Sequence, residues 1–197
     1  MNDVNKKQED NTITILGIDL GTSGLRACIV RKTVTKNNHY NEEIVLEHSI
    51  SIPTATKNIT TNIISHSPKL WTDGIEQLFT ALKSKINLDI VTHIILDATS
   101  STVLLFNPVT KSFTEALMYN DDHAQNQAIK IKQTLELEKT KHSIHLKQNQ
   151  NGAYGASSTL AKVMSLLETN PTNENTVICH QVDYLNHFLC GVLLNVF

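Results

Sequence analysis

A near-continuous run of β-branched and apolar residues, Ile13 to Ile18, ends in Asp19-Leu20-Gly21-Thr22-Ser23-Gly24, and a second apolar run, Leu25 to Val30, follows at once. Such a run reads as a strand buried on both faces, and two glycines among turn-forming residues read as a tight reversal. The chain must therefore open with a β-hairpin whose bend carries Asp, Thr and Ser side chains. Gly21 and Gly24 are expected to supply backbone angles that a side chain would oppose, letting the bend approach a ligand closely. Its successive N–H groups, with the hydroxyls of Thr22 and Ser23, make a concave donor surface suited to phosphate oxygens. Asp19 can hold a hydrated Mg2+ against those oxygens, and Arg26 can add charge-assisted bonds. The same residues also suit a plain hairpin turn. The bend alone names no reaction.

Beyond it, the polar stretch Lys32 to Asn41 reads as a loop and Ile44 to Ile50 as a third strand, which completes an antiparallel meander. A helix is expected from about Trp71 to Ile86, with Trp71, Ile75, Leu78 and Leu82 on one face and Thr72 or Asp73 as its cap. Val91 to Leu96 reads as another buried strand, followed by Asp97-Ala98-Thr99-Ser100-Ser101 and a strand from Thr102 to Phe106. Ala116 to Tyr119 is short and apolar, and Asp121 to about Glu138 is helical in pattern. Thr140 to Asn151 reads as loop, then Ser157 or Ser158 caps a helix through Leu167. Val177 to Cys179 is a short strand and Val182 begins a last helix. This order predicts an α/β layer fold with a mixed sheet flanked by helices. A meander followed by alternating helices and strands fits the ribonuclease H-like half of the actin, hexokinase and sugar kinase superfamily.

A length of 197 residues suits one domain with a substantial core. A net charge of −2, from 17 basic and 19 acidic residues, gives no field to concentrate nucleic acid or anionic lipid. Cys28, Cys179 and Cys190 form no metal-ligand spacing, and their odd number favours reduced thiols and a cytoplasmic location. Residues 1–11 are polar and read as a disordered tail. Tyr184 to Phe197 is too short to span a bilayer. His142 and His145 read as solvated side chains rather than a metal pair, Trp71 as core packing rather than a sugar platform, and Cys28 as core.

Further motifs sharpen the reading. Leu16-Gly17-Ile18-Asp19-Leu20-Gly21-Thr22-Ser23 resembles the opening signature of the FGGY carbohydrate kinase family. Ile94 to Val103, with Thr99-Ser100-Ser101-Thr102 at its turn, resembles the second motif, a strand followed by a TSGT-type bend. Ala116-Leu117-Met118-Tyr119-Asn120-Asp121 resembles the third, and Ser158-Thr159-Leu160-Ala161-Lys162 the helix opening that follows. Asp183-Tyr184-Leu185 with Leu189-Cys190-Gly191 is similar to a segment that usually ends in LTG. The five lie in family order over roughly residues 13 to 191. They look most like the D-ribulose kinase-like branch, with xylulose kinases next.

The resemblance implies an ATP-dependent phosphotransferase acting on a sugar hydroxyl, with Mg2+. Asp19, Gly21, Thr22 and Ser23, with Arg26, would meet the transferring phosphate and its metal. Asp97, Ser100, Tyr119 and Asp121 would line the sugar pocket. Ser101 stands where the family has Gly, His123 where Arg is common, and Cys190 where Thr is usual. Family members have two domains with the active site between them, so residues 12–197 correspond to the N-terminal, sugar-binding one. The ATP-binding domain and the catalytic Asp are expected beyond residue 197. The chain is expected to stop inside an apolar helix carrying Leu189, Val192, Leu193 and Val196 without a capping glycine, which reads as a truncation. A separately encoded C-terminal half or a homo-oligomer would then complete it. Alone, the chain is expected to show little activity. The alternatives are a non-catalytic remnant or sugar-binding module, a xylulose or polyol kinase, and an actin-like or chaperone-like nucleotide switch.

Overall fold

The computed structural model describes residues 11–35, 39–142 and 154–191. It divides into two compact units. One comprises the chain up to Ile52 together with Asp73–Asp97, the other Pro53–Thr72 together with the chain from Ala98 onward.

In chain order the strands of the first unit are β1 (Asn11–Leu20), β2 (Gly24–Val34) and β3 (Tyr40–Ser51). The predicted meander is present. β1 and β2 pair antiparallel with Ile15 opposite Val30 and Asp19 opposite Arg26, and β3 pairs antiparallel with β2 through a register shift at Ile29/Val30. Alternation decides what is buried here. Leu16, Ile18 and Leu20 of β1 and Leu25, Ala27 and Ile29 of β2 are buried, whereas Ile13, Ile15 and Cys28 are half-covered. Expectation and structure part at this point: β1 has one fully buried face rather than two, because successive side chains leave on opposite sides and only one side is sealed.

The second unit opens with β4 (Thr56–Lys57) and β5 (Ile64–His66). Helix α1 (Pro68–Lys83) contributes its first residues to that unit and Asp73 onward to the first. Pro68 starts α1, where a missing N–H costs nothing. The cap therefore does not fall at Thr72 or Asp73, and the Thr72 hydroxyl donates back to the Lys69 carbonyl inside the first turn at 2.8 Å. Ile75, Leu78 and Leu82 are buried as the helical spacing predicts. Gly74 lets the helix sit close, since a Cβ there would lie 2.7 Å from the Ile52 and Leu25 side chains.

β6 (His93–Ala98) completes the first sheet in the order β3-β2-β1-β6. The sequence reads it as buried; the structure makes it an edge strand with one neighbour, leaving Ile94 47% and Ile95 59% exposed.

The remaining strands, β7 (Val103–Asn107), β8 (Ser112–Phe113), β9 (Ala116–Leu117) and β10 (Val177–His180), join β4 and β5 in a second sheet, β10-β7-β9-β5-β4, with β8 on β7. Three helices accompany it: α2 (Gln125–His142), α3 (Thr159–Thr169) and α4 (Gln181–Cys190). Val103, Leu105 and Leu117 of the sheet pack with Val163 and Leu166 of α3, while Ala124, Ala128 and Ile131 pack on Ala161. Trp71 is buried against His66 (5.4 Å, stacked) and Tyr184 (5.6 Å, edge-on). Core packing accounts for it.

Ser158 caps α3, its hydroxyl accepting from the Ala161 N–H at 3.3 Å. α2 begins at Gln125 rather than Asp121 and runs to His142, so residues 140–142, expected as loop, are helical. The rest of that loop, with His145, lies outside the described residues. The last helix also departs from expectation. It ends at Cys190 because Gly191 adopts φ 71°, its N–H bonding the His187 carbonyl at 2.8 Å. That is a left-handed glycine cap. Residues 192–197 lie outside the described residues.

Candidate functional site

In the first unit the bend between β1 and β2 presents Gly21, Thr22 and Ser23, three of the five residues expected to meet phosphate, and Asp19 stands near the end of β1. The Gly21 N–H donates to the Gly24 carbonyl at 3.0 Å, closing the turn, and the Ser23 carbonyl accepts from Ile52 at 3.0 Å. Thr22 and Ser23 are exposed. Among the described residues no hydrogen bond engages their N–H or hydroxyl groups. Arg26 follows on β2, and its Nη1 donates to Asp19 Oδ2 at 2.8 Å. The two glycines play roles other than those predicted. Neither has positive φ. A Cβ on Gly24 would meet the Ile50 carbonyl oxygen at 2.4 Å, so this glycine admits the neighbouring strand. A Cβ on Gly21 would meet the Arg26 guanidinium and the Gly24 carbonyl oxygen at 3.6 Å, ordinary contact that an alanine tolerates. Asp97 is exposed at the end of β6.

In the second unit, Ser100 and Tyr119 are exposed and stand in two loops, after β6 and after β9. The first loop is strained and heavily held. Ser101 has φ 58°, the left-handed region that costs a side chain about 1–2 kcal/mol. That explains why a glycine suits this position. Buried Gln181 accepts from the Thr99 N–H at 3.1 Å and hydroxyl at 2.5 Å, and the Thr99 and Thr102 hydroxyls bond at 2.7 Å. Lys162, buried in the second turn of α3, donates its ammonium to the Ser101 carbonyl at 2.5 Å and the Met118 carbonyl at 2.9 Å. Burial lowers the Lys162 pKa to about 8, with the Asp121 charge opposing the fall.

Asp121 differs from the other candidates in being wholly buried. Its Oδ2 accepts from the Ile64 N–H at 2.6 Å. Its Oδ1 faces His123 Nδ1, and His123 Nε2 bonds the Ser165 hydroxyl at 2.8 Å. The carboxylate is therefore satisfied by protein groups, and it braces the segment that carries Tyr119. Ser165 is itself buried within α3, so this Asp-His-Ser chain offers no accessible nucleophile.

Lys162 and Gln181 are the site residues that sequence reasoning missed as contacts. Lys162 belongs to a recognised motif, yet nothing in the linear pattern shows that its head turns inward. The signal available was a lysine on the apolar face set by Leu166 and Val163.

A single carboxylate with adjacent hydroxyls fits a Mg2+ ion that keeps several waters and is held partly by phosphates. It does not fit a metal bound tightly by protein alone, and among the described residues no cluster of three or more His, Cys, Asp or Glu is placed to hold one. No described helix is long and apolar enough to cross a membrane.

The two sheets with their accompanying helices make an α/β fold similar to that of solved sugar kinases. No protein-family model and no curated protein matches the chain. Among solved structures it is similar to a gluconate kinase from Lactobacillus acidophilus, with TM-score 0.64, 16% identity, and coverage of 93% of this chain and 34% of that one. A xylulose kinase from Rhodospirillum rubrum gives TM-score 0.63 and 15% identity over 91% of this chain and 35% of that one. A Plasmodium falciparum glycerol kinase with ADP gives TM-score 0.53 and 15% identity over 89% and 34%. At such identities the likeness is one of fold. The chain spans about a third of the length of each.

Proposed function

We propose that this chain is the sugar-binding part of an ATP-dependent carbohydrate kinase that phosphorylates a hydroxyl of a ketopentose such as D-ribulose. One observation carries most weight: the open bend after β1, with its exposed Thr22 and Ser23, on a fold shared with kinases of gluconate, xylulose and glycerol. Phosphoryl transfer depends chiefly on positioning and charge neutralisation. In this reading the Thr22 and Ser23 donors orient the phosphate, and Arg26 turns from Asp19 toward its oxygens. Asp19 would hold a hydrated Mg2+, which would supply neutralisation of the phosphate charge. Ser100 and Tyr119 meet the sugar from their loops, and Asp97, three residues ahead of Ser100 in sequence, is assigned to the same role. Asp121 acts as the support beneath Tyr119. The adenosine site and the general base are assigned to a second domain or partner chain, and a cytoplasmic location accords with the reading.

A panel of D-ribulose, D-xylulose, gluconate and glycerol, titrated into the chain by calorimetry, tests it. Saturable binding of D-ribulose or D-xylulose supports the proposal, and binding of gluconate or glycerol alone overturns the ketopentose assignment. ATP-dependent turnover of the bound ketopentose after the second domain is supplied completes the proposal. A panel with neither binding nor turnover would overturn it.

A further inference from the structure

We infer that Lys162 is a positioning residue for the sugar, a buried cationic clasp that fixes the Ser100 loop and the Tyr119 loop in one relative placement. This rests on the functional reading above and deepens it. The ammonium bonds the carbonyl of Ser101 and the carbonyl of Met118, each adjacent in sequence to one of the two exposed side chains assigned to the sugar. The strands beside these loops pair at Val103 and Leu117, and beyond that pair the loops are held by separate side chains. Gln181 and Thr102 hold Thr99, and Ile64 and His123 hold Asp121. The Lys162 side chain makes hydrogen bonds to both loops. Burying a cation is costly unless its bonds are well made, and an apolar residue would fill this position in α3 more cheaply. The cost is offset by a fixed distance between two recognition groups, and a polyol site with preset hydroxyl partners gains affinity from such preorganisation.

The test uses the full chain, with D-ribulose and D-xylulose as separate probes. Nitrogen-15 NMR of lysine ammonium groups should show one slowly exchanging signal that disappears in Lys162→Met. That signal should shift as the bound sugar saturates, with the same Kd that calorimetry reports. Lys162→Met should weaken the sugar at least tenfold without lowering the urea midpoint. Lys162→Arg, which retains charged donors, should recover part of that loss. An ammonium signal unmoved at saturating sugar, or Lys162→Met binding as tightly as wild type, overturns the inference alone. Because the NMR readout uses wild-type protein, it decides the question even if the variants fail to fold. A wild-type chain that binds neither sugar overturns the functional reading and this inference together.

Discussion

Arg26 and Asp19 face each other across the first hairpin, with Nη1 2.8 Å from Oδ2 and side chains 71% and 46% exposed respectively. The group assigned to phosphate thus holds the group assigned to the metal. An exposed pair of this kind contributes roughly 0–1 kcal/mol to stability, so it is readily exchanged for ligands of higher charge. Arg26→Gln should leave the unfolding free energy within about 1 kcal/mol of wild type. It should also tighten Mn2+ binding in the absence of nucleotide, because the competing cation is gone. Calorimetry with Mn2+ checks this, with Asp19→Asn as the variant expected to lose binding. Equal affinity in wild type and Arg26→Gln would remove Asp19 from the metal site.

The two bend glycines should separate cleanly. Gly24→Ala places a methyl 2.4 Å from a backbone oxygen, and forcing β2 from β3 should cost about 1–3 kcal/mol. Gly21→Ala meets ordinary contacts and should fold with wild-type stability, yet it narrows the open side of the bend. Urea unfolding should rank Gly24→Ala well below Gly21→Ala. Phosphate or Mg-ATP binding to the completed enzyme should fall in Gly21→Ala.

At Ser101 the strain is local. A glycine there removes the left-handed penalty of about 1–2 kcal/mol and adds unfolded-state entropy of about 0.5–1 kcal/mol. Ser101→Gly should therefore stabilise the chain by about 0.5 kcal/mol, raising Tm by one or two degrees in a calorimetric scan. A lowered Tm would mean that the serine side chain contributes more than its backbone costs.

Lys162 sets a pH dependence. Its pKa is about 8 in the folded chain against 10.5 for an ordinary lysine. Below pH 8 both states are protonated and the folded state carries the full burial penalty. Between pH 8 and 10.5 the unfolded chain binds more protons, so stability rises with pH, by about 2 kcal/mol from pH 8 to pH 10. Subtracting the curve of Lys162→Met cancels the other groups that titrate in this range. A flat difference curve would show that the ammonium remains charged throughout.

Some of this was legible in the sequence because the signals are local. The β1–β2 hairpin follows from two apolar runs around a turn, and Ser158 from its place ahead of a periodic stretch. The contacts that organise the second unit are not local. Lys162 reaches Ser101 across 61 residues and Met118 across 44, and Gln181 reaches Thr99 across 82. Gly191 shows a subtler failure. The apolar spacing of Leu189, Val192, Leu193 and Val196 continues through it, so periodicity argues for an unbroken helix where one backbone dihedral ends it. Gly24 was noticed for the right reason, lack of a side chain, but the close neighbour is a strand of the same sheet.

The exposed isoleucines of β6 govern how the protein behaves in the tube. Ile94 and Ile95 are consecutive, so they project from opposite sides of the strand, and exposed Asp97 shares the side of Ile95. An outermost strand with an isoleucine exposed on each side is a template for lateral pairing with another copy. Self-association will therefore grow with concentration, and kosmotropic salt will aggravate it.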